Sequence, residues 1–278
     1  MNRMAAARIA VWLTAVPLLA GCASGKKLSA AEIVAKNVAA RGGLDAWRQV
    51  ETMVWIGRIE SAHAPSPVMQ FRLEQKRPNK TRLEITALNE KSLRVFDGVQ
   101  GWKLRPTRGR PEVQPYTPQE SKYARAGHGI DGPLIDCAAK GSEVTLEGID
   151  EIGNEHKAYH LSVRAKGGNE EVWVDTGTYL DIRYDRMAEA APGGSRRVSV
   201  TYGDYRTVGG LEMPFLIETG SGTGTTPDKM LIETVTLNAP LDDSTFGNPA
   251  VPHPRDRRAM GLTPQAFAPG APGTASPR

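Results

Sequence analysis

The sequence predicts a mainly β chain with a few helices (α+β), built on one strongly curved antiparallel sheet. Three observations predict it. From Thr52 onward, apolar and charged residues alternate with period two in one segment after another, the mark of a sheet wet on one face. About a dozen such segments follow, and a single sheet that long tends to curl. Helical signals are confined to the stretch before Thr52 and to one Pro-rich interruption. A bent sheet with helices on its concave side satisfies all the apolar faces.

The chain opens with Arg3 and Arg8, then eleven uncharged residues from Ile9 to Leu19. That is a basic start followed by an apolar run too short to span a bilayer, the pattern of an export signal. It ends in Leu19-Ala20-Gly21-Cys22, which resembles a bacterial lipoprotein box. Residues 1–21 are therefore read as a signal peptide, Cys22 as the lipidation site and membrane anchor, and residues 22–27 as a lipidated tether. Residues 28–248 form the domain. Residues 249–278 hold seven prolines and few large apolar residues, and read as a disordered Pro-rich tail.

Within the domain, Ser29-Ala30-Ala31-Glu32 is a capping box that opens a helix ending at Gly42-Gly43. Leu44 to Val50 adds a short further helix with Trp47 turned inward. Strands follow around Met53–Ile59, Met69–Leu73 and Leu83–Ala87, with Arg77-Pro78-Asn79-Lys80 as a turn. Phe96-Asp97-Gly98 is another turn, leading to Trp102 and Leu104. Between Arg105 and Gly141 the prolines 106, 111, 115 and 118 exclude regular strand. Pro118–Ala126 and Asp131–Lys140 are expected as short helices, the second with Asp131 as N-cap. Strands resume over Glu143–Ile152, His156–Arg164, Glu170–Asp175, Tyr179–Ala188, Arg196–Arg206, Pro214–Thr219 and Asp228–Leu237.

Charge and motifs exclude several functions. Removing the signal leaves 33 basic and 31 acidic residues, so no concentrated basic face points to nucleic acid. There are two cysteines, Cys22 and Cys137, and the second reads as a free, small apolar residue. No G-x-S-x-G, P-loop or H-E-x-x-H occurs. Gly127 to Gly132 matches G-x-G-x-x-G but follows a Pro-rich loop rather than a strand. His156 and His160 fall four residues apart in a strand, about 13 Å, too far for one ion. The adjacent pair Glu170-Glu171 points to opposite faces of its strand. No catalytic residue, metal or cofactor emerges.

What remains is an apolar face carrying Met53, Trp55, Met69, Phe71, Leu73, Leu83, Ile85, Trp102, Leu104, Trp173, Phe215 and Ile217. It is either a packed core under helices or the wall of an apolar cavity for acyl chains.

The ordered series Ala40-Arg41-Gly42-Gly43-Leu44-Asp45, Arg77-Pro78-Asn79-Lys80, Phe96-Asp97-Gly98-Val99-Gln100-Gly101-Trp102 and Asp131-Gly132-Pro133-Leu134 resembles the LolA/LolB-like superfamily, in particular outer membrane lipoprotein-sorting proteins. Asp204 to Leu211, Pro214-Phe215 and Leu241 to Phe246 continue the series, which spans nearly all of residues 28–248. The resemblance implies an unclosed half-barrel of about eleven strands with an N-terminal helix and a helical lid. The lid region is Pro118–Lys140, with Pro133, Leu134 and Ile135 at its centre. It implies a carrier or acceptor that binds acyl chains of lipoproteins or phospholipids inside, without covalent chemistry. Ala23 is not the Asp that commonly retains lipoproteins at the inner membrane, which favours the outer membrane, facing the periplasm. An envelope-stress sensor on the same fold and a hydrolase with an unrecognised site remain as alternatives.

Overall fold

In the computed structural model the described residues are 27–107, 110–153, 156–165, 168–190, 194–220 and 226–249. The signal peptide, Cys22 and the tail from residue 250 lie outside them.

Two meanders build the sheet. The first runs through β1 (Thr52–Glu60), β2 (Val68–Lys76), β3 (Lys80–Ala87), β4 (Glu90–Phe96), β5 (Gly101–Thr107) and β6 (Arg110–Pro115). The second runs through β7 (Glu143–Ile152), β8 (His156–Ala165), β9 (Gly168–Asp175), β10 (Asp181–Ala190), β11 (Gly194–Val208), β12 (Leu211–Gly220) and β13 (Asp228–Leu237). β1 pairs with β13 and merges them into one thirteen-stranded sheet whose edges, β6 and β7, stay apart. The connection from β6 to β7 must therefore cross from one edge of the sheet to the other.

That connection carries α3 (Pro118–Ala126), which packs on both β5 and β10. Those strands lie eight places apart in the sheet, roughly 38 Å if it were flat. A helix is only about 10–12 Å across, so the sheet has to curl around it. Bulges at Ile56/Gly57, Leu146/Gly148 and Asp181/Arg183 sharpen the bend. At Gly57 a Cβ would stand 2.1 Å from the carbonyl of Leu231, so that bulge requires glycine.

The N-terminal helices lie on the concave side. α1 (Ala30–Ala40) starts with Ser29 and Glu32 capping each other's backbone N–H, as the sequence predicts. It ends against the β11–β12 turn: a Cβ on Gly42, at φ +107°, would sit 2.4 Å from the Gly210 carbonyl. α2 (Leu44–Arg48) buries Trp47 completely. Ile33 of α1 packs with Leu134, Leu161, Val163, Val172 and Val174. Trp47 packs with Met53, Ile130, Ile135, Leu211 and Met213. A third cluster joins Leu93, Val95 and Leu104 under Phe246 of a 3-10 turn, Asp243–Phe246.

Three sequence expectations are corrected. The prolines after Arg105 do not stop the sheet: Pro106 and Pro111 face each other across the β5–β6 hairpin, and β6 is an edge strand, where missing N–H groups cost least. Asp131–Lys140 is a succession of turns, not a helix, because Gly132 and Asp136 adopt φ of +75° and +53°. The carboxylate of Asp131 is held by Arg77 and Lys140 instead of capping.

The third correction concerns faces. Residues directly opposed in a ladder share a face. Leu83 opposes Arg94, whereas Val95 opposes Trp102 and Leu93 opposes Leu104. Trp102 and Leu104 thus lie on the outer face, across the sheet from Phe71, Leu73, Leu83 and Ile85. Trp173 is also outside. It opposes His160 and Arg183, stacks on the His160 ring at 4.4 Å, lies 4.5 Å under the Arg183 guanidinium and donates its indole N–H to Asp150 at 2.8 Å. Polar side chains, not a lipid, cover it.

Candidate functional site

Of the sequence-predicted lining, Met53, Trp55, Phe71, Leu73, Leu83, Ile85, Phe215 and Ile217 are brought together on the concave floor. Trp55 opposes Leu73, which opposes Leu83, and Phe71 opposes Ile85. Across the other half, Ile217 opposes Met230, which opposes Ile59. Met53, Trp55, Phe71 and Phe215 are buried. Leu73, Leu83, Ile85 and Ile217 are only half-buried, together with Met69 and Met230. One end of the floor is thus a packed core beneath α2 and the lid. Leu73, Leu83 and Ile85 stay half-buried beside buried Trp55 and Phe71, and at the other end so do Met69, Ile217 and Met230.

The lid closes the packed end. Pro133, Leu134 and Ile135 are all buried, Leu134 and Ile135 at 0% and 1% exposure. Arg77 organises the closure. It donates to Asp131 Oδ2 at 2.9 Å, to the Val50 carbonyl at 2.6 Å and to the Trp47 carbonyl at 2.9 Å. Lys140 reaches Asp131 at 3.1 Å and the Ile135 carbonyl at 2.8 Å. Arg48 holds Asp136 in a bidentate pair, both distances 2.9 Å. Burial works to raise the Asp131 carboxyl, but Arg77 and Lys140 outweigh it and hold it below the usual carboxylate range. The same burial lowers Lys140, with Asp131 opposing. The floor is wired to this lid: Trp55 donates to Gln75 at 3.1 Å, and Gln75 donates to the Gly129 carbonyl at 3.0 Å.

Deeper in, Asp181 accepts from Asn37 at 2.9 Å and from Arg41 at 3.1 Å, tying α1 to β10. Its complete burial prevails over both and raises its carboxyl.

α3 spans the concave side. Thr117 and Glu120 form a capping box, and Pro118 opens the helix. The Glu120 carboxylate also takes Lys103 of β5 at 2.9 Å and Arg94 of β4 at 3.2 Å. At the far end, His128 bonds Glu170 of β9, whose other oxygen accepts from Tyr184 at 2.8 Å. Glu171 turns to the outer face and meets His160 at 3.0 Å, so the Glu pair does split across the strand.

Two clefts open beyond the core. One, about 590 Å³, lies beside the 3-10 turn on the outer face; its Arg72, Glu74, Arg82 and Glu84 pair with one another. The second, about 500 Å³, sits at the open end of the concave floor, between His63 of the β1–β2 connection and Arg186, Arg196, Val198, Thr219 and Asp228. Sequence reasoning missed this mouth and the Arg77 latch. Charged residues in an alternating strand read as wet-face residues, and only register places them inside. Among the described residues no group of three or more His, Cys, Asp or Glu is arranged to hold a metal. No helix there is long and apolar enough to cross a membrane.

No protein-family model matches the chain, and no curated protein sequence matches it. Solved structures do. A LolA superfamily protein from Nitrosomonas europaea superposes with a TM-score of 0.50 at 14% identity, over 80% of this chain and 98% of its own. A DUF1329 family protein from Desulfovibrio piger gives 0.51 at 12% identity, over 78% and 97%. An outer membrane lipoprotein-sorting protein domain from Vibrio parahaemolyticus gives 0.49 at 11% identity, over 77% and 94%. At such identities the likeness is one of fold. The open antiparallel sheet of this chain superposes on the first two, and the chain has the LolA-like fold.

Proposed function

We propose that the chain is a lipid-anchored periplasmic carrier or acceptor that binds acyl chains of lipoproteins or phospholipids on its concave floor, in outer-membrane lipoprotein or lipid trafficking. The observation that carries the reading is the set of half-buried apolar side chains on the concave floor, Met69, Leu73, Leu83, Ile85, Ile217 and Met230. Apolar surface of this extent is where a hydrocarbon chain gains most. Each methylene removed from water contributes about 0.8 kcal/mol, so about ten would contribute roughly 8 kcal/mol before ordering costs. The likeness to the LolA superfamily protein from Nitrosomonas europaea agrees with this reading. Cys22 in its Leu-Ala-Gly-Cys box supplies the anchor, and Ala23 the outer-membrane address. No step in this function makes or breaks a covalent bond.

The test uses the mature protein purified from membranes. Native mass spectrometry should find bound lipid and an acylated Cys22. A fatty acid brominated in mid-chain should quench tryptophan fluorescence. Trp55→Phe should remove most of that quenching, whereas Trp102→Phe and Trp173→Phe should leave it, because those two rings lie outside. A protein that carries no lipid and shows no quenching at Trp55 is not a carrier.

A further inference from the structure

The mouth cleft at the open end of the floor contains charges without an ion-pair partner among the described residues. Arg186 and Arg196 line it, and neither has a hydrogen-bonding or ion-pair partner among the described residues. Their neighbours on the outer face behave differently: Arg183 and Arg197 both reach Asp185, at 2.8 and 3.7 Å. Register explains the difference. Arg186 opposes Val198 and Arg196 opposes Ala188, which puts both guanidiniums on the concave side, in line with Tyr184 and Val200. The cleft also holds Asp228, opposite Thr219, whose Oδ1 is buried and accepts no hydrogen bond. A buried acceptor without a donor is costly, and a ligand with an N–H recovers that cost. Two residues further along the same strands stand Ile217 and Met230, two of the half-buried apolar residues of the floor.

We infer that this mouth is a head-group site for a phospholipid of the phosphoethanolamine type. The inference rests on the acyl-chain reading of the floor and names the lipid class. The two free guanidiniums take the phosphate, since guanidinium N–H pairs match phosphate oxygens. Asp228 takes the ammonium, which supplies the donor its Oδ1 lacks. The chains then run from the mouth over Met230 and Ile217 onto the floor. A choline head has no N–H to offer Asp228, and a glycerol head brings no positive charge to it. The site therefore selects ethanolamine over both.

The experiment incubates the full mature protein with vesicles holding equal parts of dioleoyl phosphatidylethanolamine, phosphatidylglycerol, phosphatidylcholine and diacylglycerol. The protein is re-isolated and its bound lipid counted by mass spectrometry. The ethanolamine lipid should be enriched about tenfold over the choline and glycerol lipids, the scale of one charge-assisted hydrogen bond. Arg186→Gln with Arg196→Gln should bring all three phospholipids down to the diacylglycerol level. Asp228→Asn should abolish the preference for ethanolamine over glycerol. Diacylglycerol uptake in the same samples reports that the floor of each variant is folded. Retention of all four lipids in their input proportions, or a wild-type preference in the double variant, overturns the head-group site and leaves the carrier reading standing. Retention of no lipid, diacylglycerol included, overturns the carrier reading and this site with it.

Discussion

At the scale of single residues, Arg77 has the widest reach at the closed end. Its guanidinium joins the lid's Asp131 to the backbone of α2 and of the segment before β1. Removing it leaves a buried carboxylate with Lys140 alone and takes a donor from the Val50 and Trp47 carbonyls, the second of which keeps the Val50 N–H. Breaking a buried pair costs about 3–5 kcal/mol, and the quarter exposure of Arg77 puts this case at the lower end. Arg77→Ala should therefore lower unfolding stability by about 3 kcal/mol in urea titration. A loss below about 1 kcal/mol would mean that the lid is held by its apolar contacts instead. The sequence showed Arg77 only as the first residue of a turn. Its partner stands fifty-four residues away, and no local pattern links the two.

At the scale of elements, most strands and all expected helices but Asp131–Lys140 were legible, and the faces were legible only as far as β3. Ser29-x-x-Glu32 and the glycines after Arg41 wrote α1 into the chain, and Pro118 to Ala126 formed the helix expected. Face assignment depends on the number of residues in each turn. The β2–β3 turn spans three residues between Lys76 and Lys80, so apolar odd positions in both strands share the floor. The β3–β4 turn spans two, Leu88 and Asn89, and the same odd positions in β4 swing outside. Leu93 and Val95 therefore carry Leu104 and Trp102 to the outer face, where Phe246 covers the cluster at 0% exposure. Phe246→Ala should cost about 3–5 kcal/mol of stability. The quenching of Trp55 by a brominated chain should survive at temperatures where the variant stays folded. Loss of quenching in a folded variant would show that the two faces are not independent.

At the scale of the molecule, one connection joins the two free edges of the sheet and also roofs its hollow. It is fastened by ion pairs, Glu120 to β4 and β5, Asp131 to Arg77 and Lys140, and Asp136 to Arg48, as well as by the buried Ile130, Leu134 and Ile135. The sheet beneath is fastened mainly by ladders and apolar contacts that protons do not touch, the Asp181 carboxyl that ties α1 to β10 being an exception. Acid should therefore free the roof before the sheet. The carboxyls of Asp131 and Asp136 stand below their ordinary 3.8, and that of Glu120 below 4.5. For Asp131 and Glu120, burial opposes the shift and the facing cations prevail; for Asp136, the hydrogen bonds from Arg48 lead. A carboxyl depressed on folding contributes stability that is complete above its unfolded value and disappears as pH falls through its folded one. The fastening is thus intact at neutral pH and weakens below about 4, in step with each protonation. Hydrogen exchange, corrected for intrinsic rates, should show residues 118–140 losing protection at pH 3 while Leu161–Val163 and Val172–Val174 keep theirs. If strands and roof lose protection together at one pH, the connection is part of a single cooperative unit and cannot act as a gate on its own.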